Sequence, residues 1–177
     1  MHVKRALVLV AVVVAAVVAY WYYSPYVAMH ALQRAAQQKD AEAFNARVDY
    51  ARLRASVKEQ FAAALTEKMT NSSGFEALGA ALGLALVNPM IDALVSPEAV
   101  MQAMQRGEFD LRSPQKSAEP SQESTPRPDW TFERPSTDRI IAYRRDAGSD
   151  TNEAVGFVFE RSGFADWKLT GLRIPRP

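Results

Sequence analysis

The chain has 177 residues, 48% of them hydrophobic and 23% charged, with a formal net charge of +1 and no cysteine. That length suits one ordinary domain with a real core. Near-neutral charge without a basic segment excludes an electrostatic nucleic-acid binder, and the missing cysteines exclude a disulfide framework, a thiol nucleophile and a lipid-modified cysteine.

Residues 4–26 read KRALVLVAVVVAAVVAYWYYSPY, and Ala6 to Tyr23 is an uncharged run of eighteen residues. At about 1.5 Å per residue this is the length a membrane-spanning helix needs. Its seven valines and two leucines contribute on the order of −4 kcal/mol on the insertion scale. Three readings are open to such a run: a retained anchor, a cleaved signal peptide with Val17-Val18-Ala19 as the processing site, or a buried helix of a soluble domain. The anchor is favoured because the run exceeds the usual ~7–15 residues of a signal peptide's apolar region. No clean Ala-x-Ala closes it, and it ends in Tyr20, Trp21, Tyr22 and Tyr23, rings suited to a membrane–water interface. Lys4 and Arg5 flank the other end, and no further Lys or Arg occurs before Arg34. The positive-inside bias then leaves residues 1–5 as a short cytoplasmic tail, 6–23 as the anchor, and exports everything after Ser24.

Ser24-Pro25 predicts a break, with Ser24 capping a new helix that runs to about Lys39. Ala28, Met29, Leu32, Ala35 and Ala36 fall on its apolar side and His30 on its polar side. With only His2 as a second histidine, a histidine metal site is not expected. Asp40 is placed to cap a short helix carrying Phe44 and Val48, and Asp49 to cap a longer one reaching Met69. Residues 75–87, FEALGAALGLALV, read as an apolar helix too short to span a bilayer, with Gly79 and Gly83 suited to close packing. Ser96-Pro97-Glu98 opens a helix that ends at Gly107, so residues 24–107 form a helical half. Residues 108–129 hold four prolines and almost no large apolar residue, the composition of a disordered linker or insertion.

From Trp130 the apolar period becomes two. Trp130–Arg134, Asp138–Arg144, Ala154–Glu160 and Asp166–Ile174 read as four strands, so residues 130–177 complete the domain as an antiparallel meander. On the last strand Leu172 and Ile174 are out of phase with Trp167 and Leu169, and a bulge at Gly171 would restore them to the core. The expected class is α+β: a transmembrane helix, then several helices on one face of a four-stranded antiparallel sheet.

The order of the anchor, SPY, DAEAF, VDYARLRASVKEQ, NPMIDALVSPE, TDRIIAY and WKLTGLRIP resembles a family of bacterial envelope proteins catalogued as domain of unknown function number 2939. Its most specific positions are Leu53-Arg54-x-Ser56-Val57-Lys58, Asn88-Pro89 and Trp167 through Pro175, while 108–129 departs from it as an insertion. The resemblance implies a single-pass protein of the bacterial inner membrane with a periplasmic domain, and supplies no catalytic residue. Helices followed by a sheet ending in WKLTGLRI are also similar to cystatin-like and nuclear-transport-factor-2-like folds, an analogy that carries no function.

The composition and motifs therefore favour a non-enzymatic, membrane-tethered module that binds an envelope protein or an amphipathic ligand, besides the lipid bilayer itself, and needs no cofactor. A hydrolase or isomerase in a helix-on-sheet cone is the alternative from another class. It would require convergent acids or a histidine pair, whereas Asp40, Asp49, Asp92 and Asp138 fit caps, helix surfaces and strand ends. A purely structural spacer is the third reading. Arg54 and Lys58 interrupt a stripe of Tyr50, Leu53, Val57, Phe61, Leu65 and Met69. Either both lie at its margin with their charged heads in water or paired with a nearby carboxylate, or they project into a cavity as contacts for an anionic head group.

Overall fold

The computed structural model describes residues 2–71, 89–92, 94–106, 129–144 and 155–174. The expected apolar helix at 75–87, its glycine pair and nearly all of the proline-rich segment 108–129 lie outside the described residues. Helix α1, His2–Gln37, is one unbroken helix with Pro25 inside it, which corrects the break expected at Ser24-Pro25. A proline inside a helix removes one backbone N–H and leaves the carbonyl four residues back without its partner. Here that carbonyl belongs to Trp21, and the Ser24 hydroxyl donates to it at 2.8 Å. The Ser24 side chain thus does for the helix what the Pro25 nitrogen cannot, and the chain continues instead of restarting.

From Leu7 to Val18 the large apolar side chains of α1 are exposed. Past Pro25 the same helix turns an apolar stripe of Met29, Leu32, Ala35 and Ala36 into the core, all four buried, while His30 stays exposed. Its end is closed by Lys39 in the left-handed region, φ 55°. Lys39 N donates to Ala36 O at 3.1 Å and Asp40 N to Ala35 O at 2.9 Å, the paired bonds of a Schellman cap. Asp40 then caps α2, Ala41–Asn45, by accepting from Ala43 N at 3.0 Å. Val48, expected on that helix, lies beyond it and bridges the sheet instead. Asp49 caps α3, Tyr50–Asn71, by accepting from Arg52 N at 3.1 Å. Residues 89–92 are helical, and Ser96 accepts from Ala99 N at 3.2 Å to start α4, Pro97–Arg106.

The sheet is an open antiparallel meander in the order β1 (Trp130–Ser136), β2 (Arg139–Arg144), β3 (Gly156–Arg161), β4 (Trp167–Arg173). Its register puts Phe132, Ala142, Phe157 and Leu172 in one row and Ile140, Phe159 and Leu169 in the next. These rows meet Met29, Leu32, Phe44, Leu53, Val57 and Met104 in the main core. Val158 pairs with Gly171 and Phe159 with Leu169, so Thr170 is the additional residue of a bulge. One extra residue reverses side-chain phase. Trp167 and Leu169 before it, and Leu172 after it, are therefore all buried on the helix side. The opposite face buries a smaller cluster of Ile141, Tyr143 and Val158.

The free edge of β4 is closed by the helical half, which removes a row of unpaired backbone groups from solvent. Residues 47–49 pair with it in parallel: Leu169 N donates to Arg47 O and Asp49 N to Leu169 O, both at 2.9 Å. Further along, the Gln60 amide imitates a neighbouring strand. Its Oε1 accepts from Ile174 N at 2.9 Å, and its Nε2 donates to Leu172 O. The close seat of α3 depends on Gly171, where an added Cβ would stand 2.7 Å from Ser56 Oγ and 3.1 Å from Ser56 Cβ. Gly171→Val should therefore push α3 outward and destabilise the fold by about 2–3 kcal/mol. Thermal unfolding of the full chain in detergent reads this directly, and an unchanged Tm would mean that α3 does not need that contact.

Candidate functional site

The densest polar and aromatic constellation lies where the apolar run of α1 meets the sheet. Alternation along β1 and β3 sends Arg134 and Arg161 to the helix face, at the strand ends nearest Trp21 and Tyr22. The Arg161 guanidinium is sandwiched between two indoles, 4.2 Å from the Trp21 ring and 4.5 Å from the Trp167 ring. Its side chain is only 9% exposed. Burying a guanidinium needs its nitrogens satisfied, and all three are. Nε pairs with Asp138 Oδ1 at 2.9 Å, Nη1 donates to Phe164 O at 2.5 Å and Nη2 to Thr137 O at 3.2 Å. One side chain thereby joins the β1–β2 turn, the β3–β4 turn and α1. Cation–π contacts of this kind gain most when desolvated, on the order of 2 kcal/mol.

Two neighbours complete the clamp. Trp167 Nε1 donates to the same Ser24 hydroxyl that supports the helix at Pro25, at 2.8 Å and fully buried. Arg134 lies 4.5 Å over the Tyr22 ring and donates to Tyr22 O at 3.1 Å and Thr137 O at 3.3 Å. Tyr26 meets Phe132 edge-on at 5.0 Å. Of the residues expected at a membrane interface, Trp21 and Tyr22 thus also carry the domain, while Tyr20 and Tyr23 are exposed at 59% and 61%. Lys4 and Arg5 are exposed at the far end of the apolar run.

Arg54 and Lys58 stand one turn apart on α3. Lys58 is exposed. Arg54 Nε stands 3.4 Å from Asp92 Oδ1, an ion pair without hydrogen-bond alignment, and its Nη2 donates to Val95 O at 3.4 Å. Arg54 and Lys58 each follow a fully buried residue of the stripe, Leu53 and Val57. Nearby, Tyr50 donates to Asn45 Oδ1 at 2.5 Å, and burial, aided by Glu98 and opposed by Arg54, pushes its hydroxyl up to about 12.

On the other sheet face Arg173 Nη1 donates to Glu133 Oε2 at 2.9 Å and to the Tyr143 hydroxyl at 2.7 Å, and Tyr143 donates to the same Glu133 oxygen at 3.1 Å. Burial first, then Glu133, hold the Tyr143 hydroxyl above its ordinary range, against Arg173. The acids Asp40, Asp49, Asp92 and Asp138 serve respectively as two helix caps and two partners of arginines. Among the described residues no group of three His, Cys, Asp or Glu side chains is placed to hold a metal ion.

Sequence reasoning missed Arg134, Arg161 and Ser24 as clamp residues. No local pattern marks them, because each owes its role to a partner on another element, from Tyr22 to Trp167.

Among the described residues one helix, α1, is long and apolar enough to cross a membrane. No curated protein and no solved structure matches the chain. A family model matches residues 14–103, which takes in the second half of the apolar run and the helical half but not the sheet. The terminal WKLTGLRIP, which carries part of the resemblance seen in the sequence, lies beyond that range. By that match the chain belongs to the family described as Protein of unknown function (DUF2939).

Proposed function

We propose that the protein is a single-pass protein of the bacterial inner membrane whose periplasmic domain is a non-catalytic module, mounted rigidly on its anchor, that binds an envelope protein or an amphipathic ligand. The observation that carries this reading is the unbroken course of α1. An apolar, exposed helix runs without a linker into the core of the domain, and Ser24, Trp167 and Arg161 lock it there. Cleavage after Ala19 would leave Trp21 and Ser24 in the mature chain but strip away the helical turns that lead into them, so it is the continuous course of α1 that supports a retained anchor. The orientation rests on Lys4 and Arg5. The same rigid mount also favours the spacer reading, in which the domain only holds a fixed distance from the bilayer.

The absence of native cysteine makes the test clean. In membranes of the native host, Lys58→Cys should react with a membrane-impermeant maleimide applied from the periplasmic side. His2→Cys should react only after the membrane is opened. The reverse pattern would overturn the orientation. A photo-crosslinking residue at exposed Lys58 or Arg52 should give a discrete adduct if the domain binds a partner. A domain free of adducts at both positions would leave the spacer reading in its place.

A further inference from the structure

Outside α1, the exposed large apolar side chains among the described residues are Phe164, at 65%, and Met90, at 38%. A single exposed phenylalanine ordinarily needs no explanation; the setting of this one supplies it. Phe164 sits at the tip of the β3–β4 turn, and the turn is held shut from within. Ser162 N donates to Asp166 O at 2.9 Å, the Ser162 hydroxyl bonds Asp166 Oδ2 at 2.5 Å, and Arg161 Nη1 holds the Phe164 carbonyl. The backbone is bound inward, and the ring is left outside. That same Arg161 guanidinium stacks on Trp21, at the end of the apolar run where aromatic rings favour the membrane–water interface. The Phe164 carbonyl is therefore one guanidinium away from the residue that marks the bilayer surface.

We propose that the β3–β4 turn is a second membrane contact, with the Phe164 ring entering the head-group and upper acyl region of the bilayer that α1 crosses. The occupant is lipid, because the turn continues the aromatic girdle of Tyr20, Trp21, Tyr22 and Tyr23 and is fastened to it. Of the acids at this end, Asp138 is paired with Arg161 and Asp166 accepts from the Ser162 hydroxyl. The anchor then fixes where the domain sits, and Phe164 fixes how it is tilted and turned about the axis of α1. The inference rests on the reading of α1 as a retained span, and the experiment separates the two.

The full chain carrying Phe164→Cys, labelled with an environment-sensitive nitrobenzoxadiazole probe, is reconstituted into vesicles of phosphatidylethanolamine and phosphatidylglycerol. Lys58→Cys, on exposed α3, is the water-facing control. The probe at 164 should emit to the blue of the probe at 58 and be quenched by lipids spin-labelled high on the acyl chain, with an unchanged circular dichroism spectrum. A probe at 164 that reports water like the one at 58, in a protein still resistant to carbonate extraction, overturns the second contact and leaves the span intact. A blue shift without quenching by spin-labelled lipid means that protein, such as a second copy, covers the ring, and it also overturns the proposal. Release of the chain by carbonate overturns both readings at once.

Discussion

Trp167→Ala should lower the stability of the domain by about 3–5 kcal/mol, the range for removing a large buried aromatic ring. At this chain length that corresponds to a fall in Tm on the order of 10 °C. Trp167 is 1% exposed, and three losses coincide in its removal. Its ring fills the space between β4 and α1, its N–H donates to Ser24 Oγ at 2.8 Å, and one of the two rings that sandwich Arg161 disappears. The second consequence reaches furthest, because Ser24 is also the residue that keeps α1 continuous past Pro25. Trp167→Phe isolates it: most of the ring remains, the hydrogen bond is lost, and a cost of about 1–2 kcal/mol is expected. Trp130 offers a control within the same core. Its indole nitrogen is buried without a hydrogen-bond partner among the described residues, so Trp130→Phe should cost less than Trp167→Phe. Thermal unfolding of the full chain in detergent, followed by circular dichroism, orders the three variants. A Trp167→Phe no worse than Trp130→Phe would show that the Ser24 bond contributes nothing.

Val13→Arg with Val14→Arg should abolish stable residence in the membrane. Each arginine near the centre of a span costs about 2.5–3.5 kcal/mol on the insertion scale, and each valine it replaces contributed about −0.3 to −0.6. The pair therefore shifts insertion unfavourably by roughly 6–8 kcal/mol, more than the order of −4 kcal/mol supplied by all the valines and leucines of the run. Alkaline carbonate extraction checks it. Wild type should stay with the membrane, Val13→Leu with Val14→Leu should do the same, and the double arginine variant should be released or degraded. A double arginine variant retained as fully as wild type would mean that something other than Ala6–Tyr23 holds the protein.

Much of the fold was legible before any coordinates. Asp40, Asp49 and Ser96 announce helix starts because a cap is a local exchange: one side-chain oxygen, one backbone N–H, three residues apart. All three accept the expected bond. The four strands stand within one or two residues of their expected limits, since alternation along Phe157–Phe159 and Trp167–Leu169 is a short-range signal. A bulge on β4 was readable for the same reason, since Leu172 is out of phase with Leu169 along the chain itself, but its extra residue is Thr170 and not the expected Gly171. The course of α1 past Pro25 was not readable. A proline states only what it removes, and the hydroxyl that makes good the loss is itself held by Trp167, 143 residues away.

By itself, then, the sequence determined the apolar run, the caps, the periodicities and the class of fold, because each rests on residues a few positions apart. Tertiary structure alone decided the clamp. Arg161 is one arginine among many until the meander brings two turns to one end, and the helix lays Trp21 across them. The same holds for the partners of Arg54: Asp92 and the Val95 carbonyl are brought up to it from the next helical stretch. A charge finds its partner through the whole path of the chain, and that path is set by burying Trp167, Phe157, Leu53 and their neighbours, not by the charge itself.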